Sequence, residues 1–251
     1  MNDMQLAADL RDAVSRGEVS AWFQPQVDLA TNRIVAVEAL CRWNHPERGM
    51  VPPAVFIPIA EESGLIQEIG QFMVDQSCAA AAKWVSLEHP VAVSVNVSPA
   101  QLATSEFTDR LAIELERLDL PPRALTIEIT ESMPIEDIAV VVSRLDELRR
   151  LGLGIAVDDY GAGHSSLAQL DSLHATELKI DQSLVRDDSV ETHELLAAVI
   201  ERVHESGLQV VAEGVETAEQ LAHVRELGFD RAQGYLIAKP MPQDELERLL
   251  G

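Results

Sequence analysis

The chain has 251 residues, 47% of them hydrophobic, and carries a formal net charge of −23. That charge excludes duplex nucleic acid as a partner, because such binding rests on clustered Lys and Arg, and it obliges any anionic ligand to meet a bound cation or a few placed basic residues. No apolar run reaches the ~20 residues needed to cross a bilayer, and Cys41 and Cys78 form neither a C-x-x-C pair nor a disulfide framework, so the expectation is a cytoplasmic protein with no membrane insertion.

Residues 1–18, MNDMQLAADLRDAVSRGE, have acids throughout and no apolar centre. They read as a helical lead-in rather than a signal peptide. Strands are expected at 21–29, 34–40, 91–97, 125–130, 154–159, 176–181, 208–213 and 229–236. Helical periodicity covers 65–85, 107–118, 135–151, 190–206 and 217–227, and Gly152, Gly207 and Gly228 mark helix stops. The first two strands are joined through Thr31-Asn32, a hairpin signature. From Val91 onward strand and helix alternate, which indicates a parallel sheet with helical crossovers. About eight strands in this length fit an α/β fold, a modified TIM (β/α)8 barrel with one antiparallel strand near the start. A doubly wound open sheet is the alternative, since periodicity does not establish closure. No linker divides the chain, so residues 1–251 are expected to form one domain.

Alternation along the strands separates two faces. Ser94, Asn96 and Ser98 oppose Val93, Val95 and Val97; Thr126, Glu128 and Thr130 oppose Ile127 and Ile129; Glu177, Lys179 and Asp181 oppose Leu178 and Ile180. An antiparallel sheet with one wet face would explain any single strand. The intervening helices instead imply parallel strands whose apolar face is covered, leaving the polar face inside the barrel. Barrel interiors are normally packed with Val, Ile and Leu, so polar groups near the C-terminal strand ends read as a site.

Those ends carry Glu38, Asn96, Glu128, Asp158, Asp159, Lys179, Glu213 and Gln233. Glu38 poses the sharpest question, because it closes an otherwise β-branched, apolar strand and an unpartnered buried carboxylate is costly. So many carboxylates do not all ionise near one another unaided, and hard divalent cations with oxygen ligands relieve the repulsion. Glu38 is therefore read as a metal ligand. No H-E-x-x-H or Cys/His cluster supports zinc, the glycines of GLGIAV precede their strand and so make no dinucleotide fingerprint, and no G-x-S-x-G elbow appears. Lys179 could form a Schiff base in principle, but acid-rich surroundings would keep it protonated and favour an electrostatic role.

Taken in order, EAL at 38–40, NVS at 96–98, EITES at 128–132, DDYGAGHSS at 158–166, LKID at 178–181, AEGVE at 212–216 and QGYLIAKP at 233–240 resemble the signatures of the EAL-domain cyclic di-GMP phosphodiesterases of bacterial signalling. The resemblance runs from about Ala21 to the C-terminus. It implies a cytoplasmic, often dimeric domain that hydrolyses cyclic di-GMP to linear pGpG with Mg²⁺ or Mn²⁺, two ions per active site. Carried over by position, Glu38, Asn96, Glu128 and Asp158 would hold the first metal, and Asp158 and Asp159 would serve the second. Glu213 would be the general base, with Lys179 and Gln233 placing the attacking water and the metal shell. Arg42 resembles a phosphate contact, and Gln24, Leu40 and Tyr235 resemble residues of the guanine and substrate groove. Glu131 and Glu216, each three residues beyond a primary carboxylate, are expected to anchor loops beside the metals. One stretch departs from the family, whose loop usually reads D-D-F-G-T-G-Y-S-S: Ala162 removes a hydroxyl and His164 replaces a larger ring. That change bears on loop order and dimer contact more than on chemistry. A cyclic di-GMP receptor without turnover is the competing expectation, although both aspartates and the first glutamate are present.

Overall fold

In the computed structural model, which describes residues 3–88, 90–130, 138–162 and 173–250, the chain enters through helix α1 (Asp3–Leu10) and then forms the hairpin β1 (Val19–Asp28) and β2 (Ile34–His45). The turn between them is built by Asp28, whose carboxylate accepts from the Thr31 amide and hydroxyl at 2.7 and 2.6 Å, and by Asn32 at φ 58°. So short a link permits only antiparallel pairing. A three-residue strand, β3 (Gly49–Val51), pairs antiparallel with the end of β2, and α2 (Pro53–Glu62) and the long α3 (Ile66–Trp84) lead into β4 (Ala92–Asn96).

From there each strand pairs in parallel with the next: β5 (Leu125–Thr130), β6 (Gly154–Tyr160), β7 (Glu177–Ile180), β8 (Gln209–Ala212) and β9 (Arg231–Gln233). β2 joins the row parallel to β4, and β1 closes it by pairing antiparallel with both β2 and β9. Closure through Gln26↔Gln233 decides against the open sheet. The result is an eight-stranded α/β barrel with its single antiparallel strand at the start of the chain. Among the described residues, the crossovers after β4 are α4 (Pro99–Leu102) and α5 (Ser105–Arg117), α6 (Ile138–Leu151), α7 (Gln182–Val185) and α8 (Val190–Glu205), and α9 (Ala218–Leu227). A short β10 (Met241–Pro242) and α10 (Gln243–Leu250) end the described chain.

The outer strand face and the helices make the main core. α3 buries Ile66, Ile69, Met73, Val74, Cys78, Ala81 and Trp84 along one stripe, the spacing that keeps residues three and four apart on one face. Trp84 meets Phe23 of β1 edge-on at 5.1 Å. A second apolar cluster, with Leu6, Leu10, Trp43, Phe56 and Ile69, fastens α1 and α2 to the far end of β2. Thr217 caps α9 from a capping box, and Gly228 ends it in the left-handed region at φ 89°, as the Gly-then-strand pattern predicts.

The expected strand at 229–236 shortens to Arg231–Gln233. Gly234 lies so close to Val215 that a Cβ there would meet its backbone oxygen at 2.1 Å, and the amide of Leu236 donates to that same Val215 oxygen. The chain therefore folds across the barrel mouth instead of extending. Helices α2 and α10 were not anticipated. Pro53 and Pro58 interrupt the pattern of α2, and α10 is a two-turn helix that leaves only Leu246 fully buried.

Candidate metal centre and active site

The parallel strands end at one mouth, and their registers bring the acids together: Glu38 faces Ser94, Asn96 faces Glu128, and Thr130 faces Asp158 across neighbouring strands. At the centre stands Lys179, fully buried on β7. Its Nζ lies 2.7 Å from Glu213 Oε1, 3.1 Å from Glu128 Oε2, 3.2 Å from Asp158 Oδ1 and 3.4 Å from Glu38 Oε2. Burial alone would push Lys179 down, but Asp158, Glu128, Glu213 and Glu38 more than reverse this and hold it well above the ordinary lysine range. It is a fixed ammonium, which removes the Schiff-base reading.

One ammonium does not neutralise four carboxylates. Burial opposes the charged form of Glu38, yet Lys179, Gln233 and Asn96 together hold it below its usual range. For the rest burial wins: Glu128 is pushed well above the ordinary value, Asp158 is raised, and Glu213 is pushed up to about 8. Asp159 is raised by burial and by the neighbouring Asp158 and Asp181.

The carboxylates fall into two overlapping groups. Oxygens of Glu38, Glu128 and Asp158 lie within 4.8 Å of one another, and so do those of Asp158, Asp159 and Glu213. Adjacent residues on a strand normally point to opposite faces, so the participation of both aspartates needs a local cause. Asp159 supplies it with φ 62°, a left-handed conformation that costs a non-glycine residue strain, and its amide donates to Asp158 Oδ1 at 2.9 Å. Asn96 donates through Nδ2 to Glu38 Oε1 at 2.9 Å, which leaves its carbonyl oxygen as a donor atom for a cation. Hard oxygens, surplus negative charge and two triads sharing Asp158 are what divalent cations such as Mg²⁺ and Mn²⁺ require.

Glu213 follows β8 directly, and Gly214 after it turns the chain at φ 64°, where a Cβ would strike Gln182 at 2.3 Å. Above the acids opens a polar hollow of about 300 Å³, lined among others by Gln24, Glu38, Leu40, Asp159, Glu213, Glu216, Gln233 and Tyr235. Gln233 donates to Glu38 Oε2 at 2.6 Å and to Gln24 Oε1 at 3.1 Å. Glu216 is tied to Arg186, just past α7, at 2.7 Å. Arg42 sits two residues beyond Leu40 on the same strand, half-buried beside the Trp22 ring and donating to the Cys41 carbonyl; it does not line the hollow. Leu40 and Asn96 also border a second, mainly apolar cavity of about 240 Å³ that reaches to Ile57, Ile66 and Met73. Glu131 and His164 lie outside the described residues, while the Ala162 amide donates to the Asp159 carbonyl at 3.1 Å. Sequence reading passed over Gln26, whose Nε2 reaches Gln233 Oε1 at 2.9 Å; the alternation of FQPQV, which puts it on the face of Gln24, was the available signal. It also left Asp181 and Gln182 unassigned, although both border the hollow.

A closed α/β barrel with one antiparallel strand, carrying two carboxylate triads that share Asp158 at its mouth, defines a class of acid-centred barrel proteins. The EAL domain profile matches residues 7–240, and the chain belongs to the EAL domain family. It is 36% identical over 246 residues to the bifunctional diguanylate cyclase/cyclic di-GMP phosphodiesterase MucR of Pseudomonas aeruginosa, covering 97% of this chain and 36% of that protein. To the cyclic di-GMP phosphodiesterase RocR of the same organism it is 33% identical over 243 residues, covering 96% of this chain and 62% of RocR. The solved PaMucR phosphodiesterase in complex with c-di-GMP superposes with a TM-score of 0.89 at 36% identity, covering 96% of this chain and 99% of that one.

Proposed function

We propose that this domain is a metal-dependent phosphodiesterase that hydrolyses cyclic di-GMP to linear pGpG in bacterial second-messenger signalling. The observation that carries the reading is the pair of carboxylate triads sharing Asp158 around a buried ammonium. Glu38, Asn96, Glu128 and Asp158 would hold one Mg²⁺ or Mn²⁺, and Asp158 and Asp159 would serve a second. Bound there, such cations would supply charge neutralisation at the phosphodiester oxygens and acidification of water. They also offset the repulsion that a protein of net charge −23 exerts on a dianionic substrate.

The chain's own groups divide the remaining work. Glu213 accepts the proton of the attacking water as its oxygen bonds to phosphorus and the bond from phosphorus to the 3′-oxygen breaks. With cationic charge held beside it, the Glu213 carboxylate ionises more readily and becomes a proton acceptor near neutrality. Lys179 holds the carboxylates in register, and Gln233 fixes Glu38. Gln24, Leu40 and Tyr235 line the substrate groove, and the cavity beyond Leu40 offers mainly apolar walls suited to a nucleobase. Arg42 meets a phosphate after swinging from the Cys41 carbonyl, and Glu216 braces its loop through Arg186; the resemblance gives Glu131 the same supporting role.

Residues 1–251 act as one unit with 1–18 as the lead-in, working in the cytoplasm as a homodimer. No helix among the described residues is long and apolar enough to cross a membrane. The test is turnover of cyclic di-GMP with Mg²⁺, with Mn²⁺ and with a chelator, resolving the product. The proposal expects metal-dependent formation of linear pGpG. Tight binding without turnover in either metal would leave a receptor.

A further inference from the structure

Inside the barrel, below the acids, Gln26 of β1 is 1% exposed and faces Gln233 in the β1–β9 register. Its Nε2 donates to Gln233 Oε1 at 2.9 Å. Its own Oε1 is buried and accepts from no donor among the described residues. Interior positions of a barrel are normally apolar, and a buried acceptor without a donor is unfavourable. A side chain present only to fill space would be a Leu or Met here. What the glutamine adds is its NH₂ group, and that group has one partner.

Gln233 is an amide that fits its site in two orientations of nearly identical shape. As it stands, Nε2 donates to Glu38 Oε2 at 2.6 Å and to Gln24 Oε1 at 3.1 Å, while Oε1 receives Gln26. Turned over, its oxygen would face the Glu38 carboxylate and its NH₂ would face that of Gln26. Gln24 is itself oriented, because its Nε2 donates to the Ala238 carbonyl at 3.1 Å. The amides thus form a directed chain from Gln26 through Gln233 to Glu38. Free, Glu38 helps to select this orientation. Once its oxygens are committed to a cation that preference weakens, and Gln26 is the donor that still demands Gln233 Oε1.

We infer that Gln26 is a positioning residue, which locks the amide of Gln233 so that it holds the Glu38 carboxylate in the rotation that binds metal. The inference rests on the reading of Glu38 as a metal ligand. Partners that orient a ligand from behind are commonly worth ten- to a hundredfold in metal affinity.

The experiment titrates metal-free full-length protein with Mn²⁺ by calorimetry and follows thermal melting in parallel. The variants are Gln26→Met, Gln233→Met and both together, with Gln26→Leu as a second, smaller replacement. We expect Gln26→Met to raise the Mn²⁺ dissociation constant about tenfold while melting at or above the wild-type temperature, because the orphaned acceptor is gone. In the Gln233→Met background the same change should cost nothing further, since Gln26 acts only through that amide. Wild-type affinity in both Gln26 variants, or an equal loss with and without Gln233, overturns the inference. Wild-type protein that shows no Mn²⁺ binding sensitive to Glu38→Ala overturns the metal reading itself, and this inference with it.

Discussion

Strand β7 has a charged residue at each end of its inward face, and the two ends of the barrel treat them differently. At the floor, Glu177 meets Arg231 at 3.2 Å, and Arg231 also donates to Gln209 at 2.5 Å. Two residues on, at the mouth, Lys179 meets four carboxylates within 3.4 Å. The floor pairs one acid with one base, and its polar partners complete it. The mouth holds a surplus of acid that nothing among the described residues balances. Burial alone does not separate the two regions, for Glu177 is buried at the floor as Lys179 is at the mouth. Stoichiometry does: a matched buried pair is a structural element, and a mismatched one is a site waiting for charge.

The strongest way to break the comparison is Glu38→Ala. It should lower hydrolysis by more than ~100-fold, since even outer partners of a ligand cost up to that much. The metal-free fold should be as stable as before or more so, because one of the crowded acids is gone. Near-normal turnover at limiting Mn²⁺ would sink the ligand assignment. Next comes Glu213→Gln, which keeps size and loses proton acceptance. A general base is worth roughly 10²–10⁴-fold, so kcat plotted against Mn²⁺ should reach a low plateau. Recovery to the wild-type rate at high Mn²⁺ would make Glu213 a ligand instead.

Most of this site was legible in the sequence because period-two alternation places every second residue, and parallel order sends all C-terminal ends to one mouth. Glu38, Glu128, Lys179 and Gln233 follow from that alone. Asp159 does not: alternation puts it opposite Asp158, and only a left-handed φ returns its carboxylate to the mouth. The resemblance to a known family supplied what geometry on paper did not. The shortened β9 escaped because a tertiary contact, Gly234 against Val215, ends it rather than any local signal. Helix α2 escaped because prolines disfavour a helix, although Pro53 occupies the first turn, where the missing amide costs nothing.

Arg231→Met sharpens the contrast from the floor. It leaves Glu177 without its cation, and breaking a fully buried pair costs ~3–5 kcal/mol. Here the side chains of Arg231 and Glu177 keep 16% and 11% exposure, so about 2–3 kcal/mol is expected, a fall of roughly 4–12 °C in Tm. Mn²⁺ affinity and kcat should stay at wild-type values, because no mouth residue loses a partner. A kcat loss beyond about threefold at a temperature well below melting would mean that floor and mouth are mechanically coupled.

The smallest effect expected is also the most specific to the mouth. Burial raises the Glu213 carboxyl in the metal-free fold from an ordinary 4.5 to about 8, and Lys179 only partly offsets it. Between those values the folded protein keeps a proton that the unfolded chain has released, so its stability must fall as pH rises. The contribution is complete below about pH 4.5 and lost by the time pH passes 8. Glu128 and Asp158, also raised, push the same way. Glu38, held below its usual range, works in the opposite sense only under more acidic conditions. Metal-free protein should therefore melt several degrees lower at pH 8 than at pH 5, and Glu213→Gln, which has no proton to lose, should flatten that slope. Saturating Mg²⁺ should flatten it as well, by keeping the carboxylates ionised at both pH values. A slope that survives in Glu213→Gln and in Mg²⁺ alike would assign the proton uptake to groups outside the mouth.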